Sequence, residues 1–246
     1  MTEARKDQVR ALLKGIETGD PAAVAVVNEA KYIQHNPQTE EGSEGLAALF
    51  KRLSKSSPRV NLVRVFADGD YVFAHTEYDF ARRNIGFEVF RFEDGFAVEH
   101  WDNIQARKGP NALGHSMVDG PTSAIDLDRT EANRELVRGF VNAVLIGRDR
   151  AALDRYVAAE VVEHHPDHAD GLLARVESSA KFRYDQNHRL LAEGDFVLAV
   201  NEGAIGGIHS SLYDLYRLSD GRIVEHWDTV EAIVPRAEWK NDNGKF

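Results

Sequence analysis

The chain carries the tetrapeptide Glu-His-Trp-Asp twice, as Glu99-His100-Trp101-Asp102 and as Glu225-His226-Trp227-Asp228. The second tryptophan follows the first by 227 − 101 = 126 residues, about half of the 246-residue length. Self-similarity on that scale implies one fold written twice in tandem. Within each copy the imidazole and the carboxylate stand at alternate positions, which a strand aims at one face.

Other landmarks repeat in the same order. His35-Asn36-Pro37 is matched by His164-His165-Pro166, and Asp68-Gly69-Asp70 by Glu193-Gly194-Asp195. Glu88-Val89-Phe90-Arg91 returns as Asp214-Leu215-Tyr216-Arg217, and Glu93-Asp94-Gly95 as Ser219-Asp220-Gly221. The repeat predicts two domains, 1–120 and 126–246, each large enough for its own core. Gly114 to Asp126, with Gly120-Pro121-Thr122-Ser123 and no periodicity, reads as the linker.

In both halves helices precede strands. Val9, Leu12, Leu13 and Ile16 keep helical spacing, Asp20-Pro21 is a helix-start signal, and Leu46, Leu49, Phe50 and Leu53 repeat the helical pattern. Short β-rich runs follow at 61–66, 71–80, 86–92 and 96–104, with hairpin turns at Asp68-Gly69 and Asp94-Gly95. The second half replays this with helices from Thr130, from about Arg150 to Val157 and from Gly171. Its strands are expected at 188–191, 196–202, 209–218 and 222–230. Helices followed by an antiparallel meander predict an α+β fold, helices packed on one face of a curved sheet.

The net charge of −10 argues against nucleic acid or an anionic membrane as partner, since either needs a basic face. The absence of cysteine excludes disulfides and thiolate chemistry and fits a cytoplasmic protein. The first residues enter a charged amphipathic stretch rather than an apolar signal core, and no run reaches the roughly 18 apolar residues of a membrane span.

Tyr32-Ile33-Gln34-His35-Asn36-Pro37, the Glu-His-Trp-Asp strand, Met117-Val118-Asp119-Gly120-Pro121-Thr122 and Asn241-Asp242-Asn243-Gly244 together resemble SnoaL-like proteins of the nuclear-transport-factor-2-like superfamily. The chain is most similar to the group described as predicted SnoaL-like aldol-condensation-catalysing enzymes. The resemblance covers nearly the whole chain as two copies. It implies two tandem cone-shaped α+β barrels of the ketosteroid-isomerase-like kind, each with a pocket in its open mouth. Ketosteroid isomerase, scytalone dehydratase, limonene epoxide hydrolase and SnoaL polyketide cyclase are members of that superfamily with different pocket residues, so the fold does not name the reaction. Members commonly dimerise through their sheets; here the two halves would form an intrachain pseudo-dimer, with further homo-oligomers open.

The candidate site residues are His35, His75, Glu88, His100 and Asp102 in the first half, and His164, Asp214, His226 and Asp228 in the second. His100 with Asp102, and His226 with Asp228, offer a proton acceptor beside a group that orients it or tunes its pKa, if their face lines the cone. The alternative places them in solvent with Trp101 and Trp227 inside. In limonene epoxide hydrolase a carboxylate on the corresponding strand points into the pocket, which favours the inward reading and puts the tryptophans in a domain–domain contact. His35 and His164, each before a proline turn, either hang over the mouth as bases or satisfy turn backbone. Glu88 and Asp214 are either pocket acids or partners of Arg91 and Arg217. His75 has Val200 as its counterpart, so the two sites are unequal. The run Glu163-His164-His165-Pro166-Asp167-His168 looks metal-like, but consecutive turn residues rarely converge on one ion, and no metal or cofactor is expected. Phosphate-binding and serine-hydrolase motifs are absent. The expected function is acid–base catalysis without cofactor on a carbonyl or cyclic metabolite, of isomerase, lyase or cyclase type. Non-catalytic binding of a hydrophobic ligand and an association scaffold are the alternatives.

Overall fold

The computed structural model describes residues 2–80, 82–167, 171–177 and 181–246. Contacts divide the chain into two units, one of residues 1–107 with 234–246 and one of residues 108–233. The division differs from the sequence repeat at two places. Residues 108–125, which follow the last strand of the first copy, belong with the second unit; residues 234–246, which follow the last strand of the second copy, belong with the first.

The first unit opens with α1 (Thr2–Thr18), whose Val9, Leu12, Leu13 and Ile16 are buried as their spacing predicts. The Asp20 carboxylate accepts the Ala22 N–H at 2.9 Å and starts a 3₁₀ turn, Pro21–Val26. There follow β1 (Ile33–Gln34), α2 (Gly42–Leu53), β2 (Arg59–Asp68), β3 (Tyr71–Asp79), β4 (Arg83–Glu93) and β5 (Phe96–Ala106). Strand order is β1-β5-β4-β3-β2, with β1 parallel to β5 and the rest an antiparallel meander. Asp94 and Gly95 both take positive φ (51° and 84°), the backbone twist a tight β4–β5 hairpin requires.

The second unit repeats the plan. α3 (Thr130–Phe140) runs into a π-helical stretch, Val141–Ile146, and then α4 (Leu153–Tyr156), β6 (Val157–Glu163), α5 (Gly171–Glu177), β7 (Phe182–Glu193), β8 (Phe196–Ile205), β9 (Ile208–Ser219) and β10 (Arg222–Ala232). Its order is β6-β10-β9-β8-β7, and β6 is parallel to β10. The two parallel strands, β1 and β6, escape sequence patterning because one is two residues long and the other directly follows a helical turn. Among the described residues, no helix is long and apolar enough to cross a membrane.

In each unit one sheet face packs on helices. In the first, Val72, Ala74, Tyr78, Phe90 and Ala97 join Leu12, Ile16, Leu46 and Phe50; in the second, Val197, Ala199, Tyr216 and Ile223 join Val137, Phe140 and Val144. A β-bulge at Val98 shapes the last strand: Phe92 pairs with Ala97 but Arg91 with Glu99, so Val98 has no partner opposite. Val224 is the matching bulge, since Leu218 pairs with Ile223 and Arg217 with Glu225. The bulge puts Ala97, His100 and Asp102 on the helix-covered face and leaves Glu99 and Trp101 on the other.

That other face explains half of the tetrapeptide. Trp101 is buried and stacks on His35 at 4.7 Å and 10°, and Trp227 stacks on His164 at 4.6 Å and 10°. Glu99 faces His35 Nε2 at 2.9 Å and accepts from Arg91 at 2.6 Å; Glu225 repeats both contacts with His164 and Arg217. Each tryptophan thus stacks on a histidine of its own unit. The expected linker is docked as well: Asp119 accepts the Trp227 indole N–H at 3.0 Å, and a Cβ on Gly120 would lie 2.7 Å from that ring. Replacing Trp101 by Ala removes a fully packed ring and is expected to lower stability by about 3–5 kcal/mol, with Trp227→Ala doing the same to the second unit, as urea unfolding measures.

Candidate functional site

Between the first sheet and its helices lies a cavity of about 540 Å³. Leu12, Ile16, Leu46, Leu49, Phe50 and Phe80 form its apolar wall, and Tyr32, Gln34, Asn36, Tyr78, Glu88, His100 and Asp102 its polar end. Its size is ordinary for a small-molecule pocket. Gly86 lies beside the polar end, where a Cβ would come within 2.7 Å of the Glu88 carboxylate and 2.6 Å of the Tyr78 ring. The missing side chain makes room for both.

The hydrogen bonds at the polar end determine who donates. Gln34 Oε1 accepts the Asn36 backbone N–H at 2.8 Å, which orients the amide. His100 Nδ1, 3.0 Å from the same oxygen, must then carry a hydrogen and donate it. His100 Nε2 lies 2.8 Å from Glu88 Oε2, so one proton is held between this imidazole and this carboxylate. Tyr78 donates its O–H to Glu88 Oε1 at 2.7 Å. Asp102 accepts from Asn36 Nδ2 at 2.6 Å and from Lys245 Nζ at 3.2 Å. Burial pushes the Asp102 carboxyl up, but the Lys245 ammonium, the His100 ring and the Asn36 amide outweigh it and hold it below the usual carboxylate range. Burial, reinforced by nearby carboxylates, keeps the Tyr32 and Tyr78 phenols well above their ordinary value, so both are neutral donors.

Glu88, His100 and Asp102 therefore meet at one place. Their donor atoms lie within 4.8 Å of one another, close enough for a cation. The positive charge there is supplied instead by the Lys245 ammonium, and the oxygens are already engaged.

Two other expected residues lie elsewhere. His35 is on the opposite sheet face, stacked on Trp101, with Nδ1 3.0 Å from the Gly244 carbonyl and Nε2 on Glu99. The reading of His35 over the mouth gives way to one in which the ring ties the turn to the sheet and to the chain end. His75 is also on that face, 2.6 Å from Arg64 and packed against Phe87. It does not line the cavity.

In the second unit the same positions form a closed ionic core. Glu163 replaces Gln34, so His226 is gripped by two carboxylates: Nδ1 is 2.8 Å from Glu163 Oε2 and Nε2 is 3.0 Å from Asp214 Oδ1. Burial alone would lower the His226 pKa; Glu163 and Asp214 prevail and raise it to about 9. Arg175 inserts its guanidinium between Asp214 and Asp228 and also reaches the Tyr184 hydroxyl. Asn201 donates to Asp214 at 2.9 Å. Asp228 is raised by burial, then brought below its usual range by Arg175, His165 and His226. His164 stands outside this cluster, with Nδ1 2.7 Å from the Ser116 carbonyl and Nε2 on Glu225. The metal-like run thus divides between two faces, while His168 lies outside the described residues.

Sequence reasoning missed Tyr32, Gln34, Asn36, Tyr78, Lys245 and Arg175. Tyr32, Gln34 and Asn36 alternate, which was the available signal for one strand face. Aligning His35 with His164 also exposes the Gln34–Glu163 difference one residue earlier. Lys245 and Arg175 carry no local pattern.

The first unit thus combines a helix-covered, mostly antiparallel sheet with a cavity large enough for a small molecule. Residues 9–100, which lie within the first unit, match the family model of the SnoaL-like domain. TsrD from Streptomyces laurentii is 22% identical, with a TM-score of 0.38 over 46% of this chain and 91% of its own. An LEH-like epoxide hydrolase from M. tuberculosis is 20% identical, with a TM-score of 0.37 over 42% of this chain and 84% of its own. An NTF-2-like protein of unknown function from Burkholderia xenovorans LB400 is 17% identical, with a TM-score of 0.39 over 45% of this chain and 90% of its own. No curated protein sequence matches.

The raised His226 pKa gives a pH prediction with a definite sign. A histidine at about 9 when folded and about 6.5 when unfolded contributes stability that is complete below pH 6.5 and is lost as pH rises through 9. The contribution is at most on the order of 3 kcal/mol. The urea midpoint of the second unit is expected to fall between pH 7 and 9.5, and His226→Gln to remove most of that slope.

Proposed function

We propose that the first unit's cavity catalyses proton transfer at a carbon next to a carbonyl, without cofactor, on a largely apolar metabolite. The observation that carries this reading is the single proton between Glu88 and His100, at the polar end of an otherwise apolar cavity. With that proton on His100, the Glu88 carboxylate is ionised and held by two donors, Tyr78 and the imidazole. It is then a base within reach of a ligand in the cavity.

The reaction needs a donor for the oxygen that becomes negative. The Tyr32 hydroxyl accepts from Gln34 Nε2 at 3.4 Å, and its own hydrogen is directed to no acceptor among the described residues. A ligand carbonyl accepting from Tyr32 would place its α-carbon toward Glu88. The C–H bond breaks as Glu88 takes the proton, and the electron pair moves into the C=C bond of an enolate. Returning the proton to another carbon gives isomerisation, loss of a β-substituent gives a lyase, and attack on a second carbonyl gives aldol cyclisation. The second unit, with Arg175 in its interior, serves as structure in this reading.

The α-deuteration of 2-tetralone in D₂O, followed by proton NMR, tests it. The protein is expected to accelerate exchange over buffer, and Glu88→Gln or His100→Gln to lose that acceleration by about 10²-fold or more. Asp214→Asn in the second unit is expected to leave the rate unchanged. Tight binding of 2-tetralone with exchange equal to buffer would contradict the catalytic reading and favour a non-catalytic ligand carrier.

A further inference from the structure

The last residues of the chain do more than fill a surface of the first unit. Lys240 N–H donates to the Pro37 carbonyl at 2.8 Å, and Asn241 Nδ2 donates to the Asn36 and Thr39 carbonyls at 2.7 and 3.0 Å. Asn243 Nδ2 donates to the Gln34 carbonyl at 3.0 Å and to Glu41 at 2.7 Å. These bonds grip the stretch 34–41, which supplies Gln34 to His100 and Asn36 to Asp102. Val234, Glu238 and Lys240 themselves line the cavity. Lys245 is 3% exposed and its ammonium ends on Asp102.

The charge count gives Lys245 a purpose. Glu88 and Asp102 are opposite one another on β4 and β5, both buried. Two neighbouring carboxylates out of water cannot both ionise without cations, and one of them otherwise takes up a proton. The proton shared by His100 and Glu88 answers one negative charge, and the Lys245 ammonium answers the other. Around Asp102 stand His100 on its own strand, Glu88 on β4, Tyr78 on β3, Tyr32 and Asn36 before α2, and Lys245 from the chain end; of these Lys245 is the permanent cation.

The second unit separates this role from mere docking. There the segment Asn111-Ala112-Leu113-Gly114 makes the same kind of clamp, Asn111 Nδ2 donating to the Glu163 carbonyl at 2.7 Å. The carboxylate matching Asp102 is Asp228, and its cation is Arg175 from that unit's own α5. The clamp therefore works without delivering a charge, and a buried ion pair gives little net stability by itself. Docking alone leaves Lys245 unexplained.

We propose that Lys245 is a positioning residue of the first unit's site, holding Asp102 as an anion so that the Glu88–His100 pair keeps its single proton. This deepens the acid–base reading, on which it rests for its consequence in catalysis. The 234–246 segment is then a working part of the site: it braces Gln34 and Asn36, walls the cavity and brings the second cation. Lys245 touches no reacting atom in this scheme; it acts through Asp102.

The test uses the full chain with aspartate side-chain carboxyls labelled with ¹³C, titrated by NMR without any ligand, alongside the 2-tetralone exchange rate against pH. In the unsubstituted protein the Asp102 carboxyl is expected to titrate below the ordinary aspartate value. In Lys245→Met its midpoint is expected above that value, with the pH–rate profile displaced upward and exchange at pH 7 reduced about tenfold or more. Lys245→Arg is expected to restore both, which a purely packing role would not do. Asn241→Ala, which loosens the clamp and keeps the lysine, is expected to shift Asp102 in the same direction by less. An Asp102 midpoint unmoved in a folded Lys245→Met protein overturns the proposal. If Asp102 moves as expected while even the unsubstituted protein exchanges no faster than buffer, the positioning role stands and the catalytic reading falls.

Discussion

A single unpaired residue in the last strand of each unit governs what the rest can do. Val98 and Val224 are bulges, and each reverses the alternation of side chains at the point where the tetrapeptide begins. The histidine and aspartate consequently join the helix-covered face while the glutamate and tryptophan go to the other. One face becomes an acid–base cluster; the other becomes a clamp in which a tryptophan stacks on a histidine that a glutamate also holds. Remove the bulge and the two sets exchange faces, which would turn the glutamate and tryptophan toward the helices and the histidine and aspartate away from them.

With that frame common to both units, their differences are in the ions. Gln34 against Glu163 is the decisive pair. A neutral amide beside His100 leaves the ring sharing one proton with Glu88, whereas a second carboxylate beside His226 holds the ring charged through the physiological range. The counter-ions differ in the same sense. Lys245 reaches Asp102 from the edge of the first unit's cluster, and the cavity stays open; Arg175 enters the middle of the second cluster and ties Asp214 to Asp228. The difference between the units does not come from His75 against Val200, since His75 packs on the far face.

The duplicated α+β plan was legible in the sequence wherever local chemistry decided the structure. Helical spacing at Val9–Ile16, the Asp94-Gly95 turn and the β-rich runs each depend on neighbours a few residues away. Strand alternation in the sequence pairs His100 with Asp102, and the structure adds Glu88 to them from the neighbouring strand. What escaped depended on distant chain. Counting by twos from Ala97 leads to Glu99 and Trp101, and a bulge leaves no reliable mark in composition. His35 was open between two readings because a proline turn fixes where the residue is but not which way its ring turns. Lys245 and Arg175 are ordinary cations in sequence and acquire meaning only through the carboxylates they meet.

The central claim is that the polar end of the first unit's cavity recognises an enol or enolate oxygen beside the Glu88–His100 pair. A crystal structure of the protein grown with 2-naphthol, a stable enol of the tetralone skeleton, addresses it directly. The account predicts the naphthol ring against Leu12, Ile16 and Phe50, its oxygen within hydrogen-bond distance of Tyr32, and no naphthol within the second unit's ionic core. Naphthol bound with its oxygen turned toward the apolar wall, or an empty cavity at saturating naphthol, would contradict it.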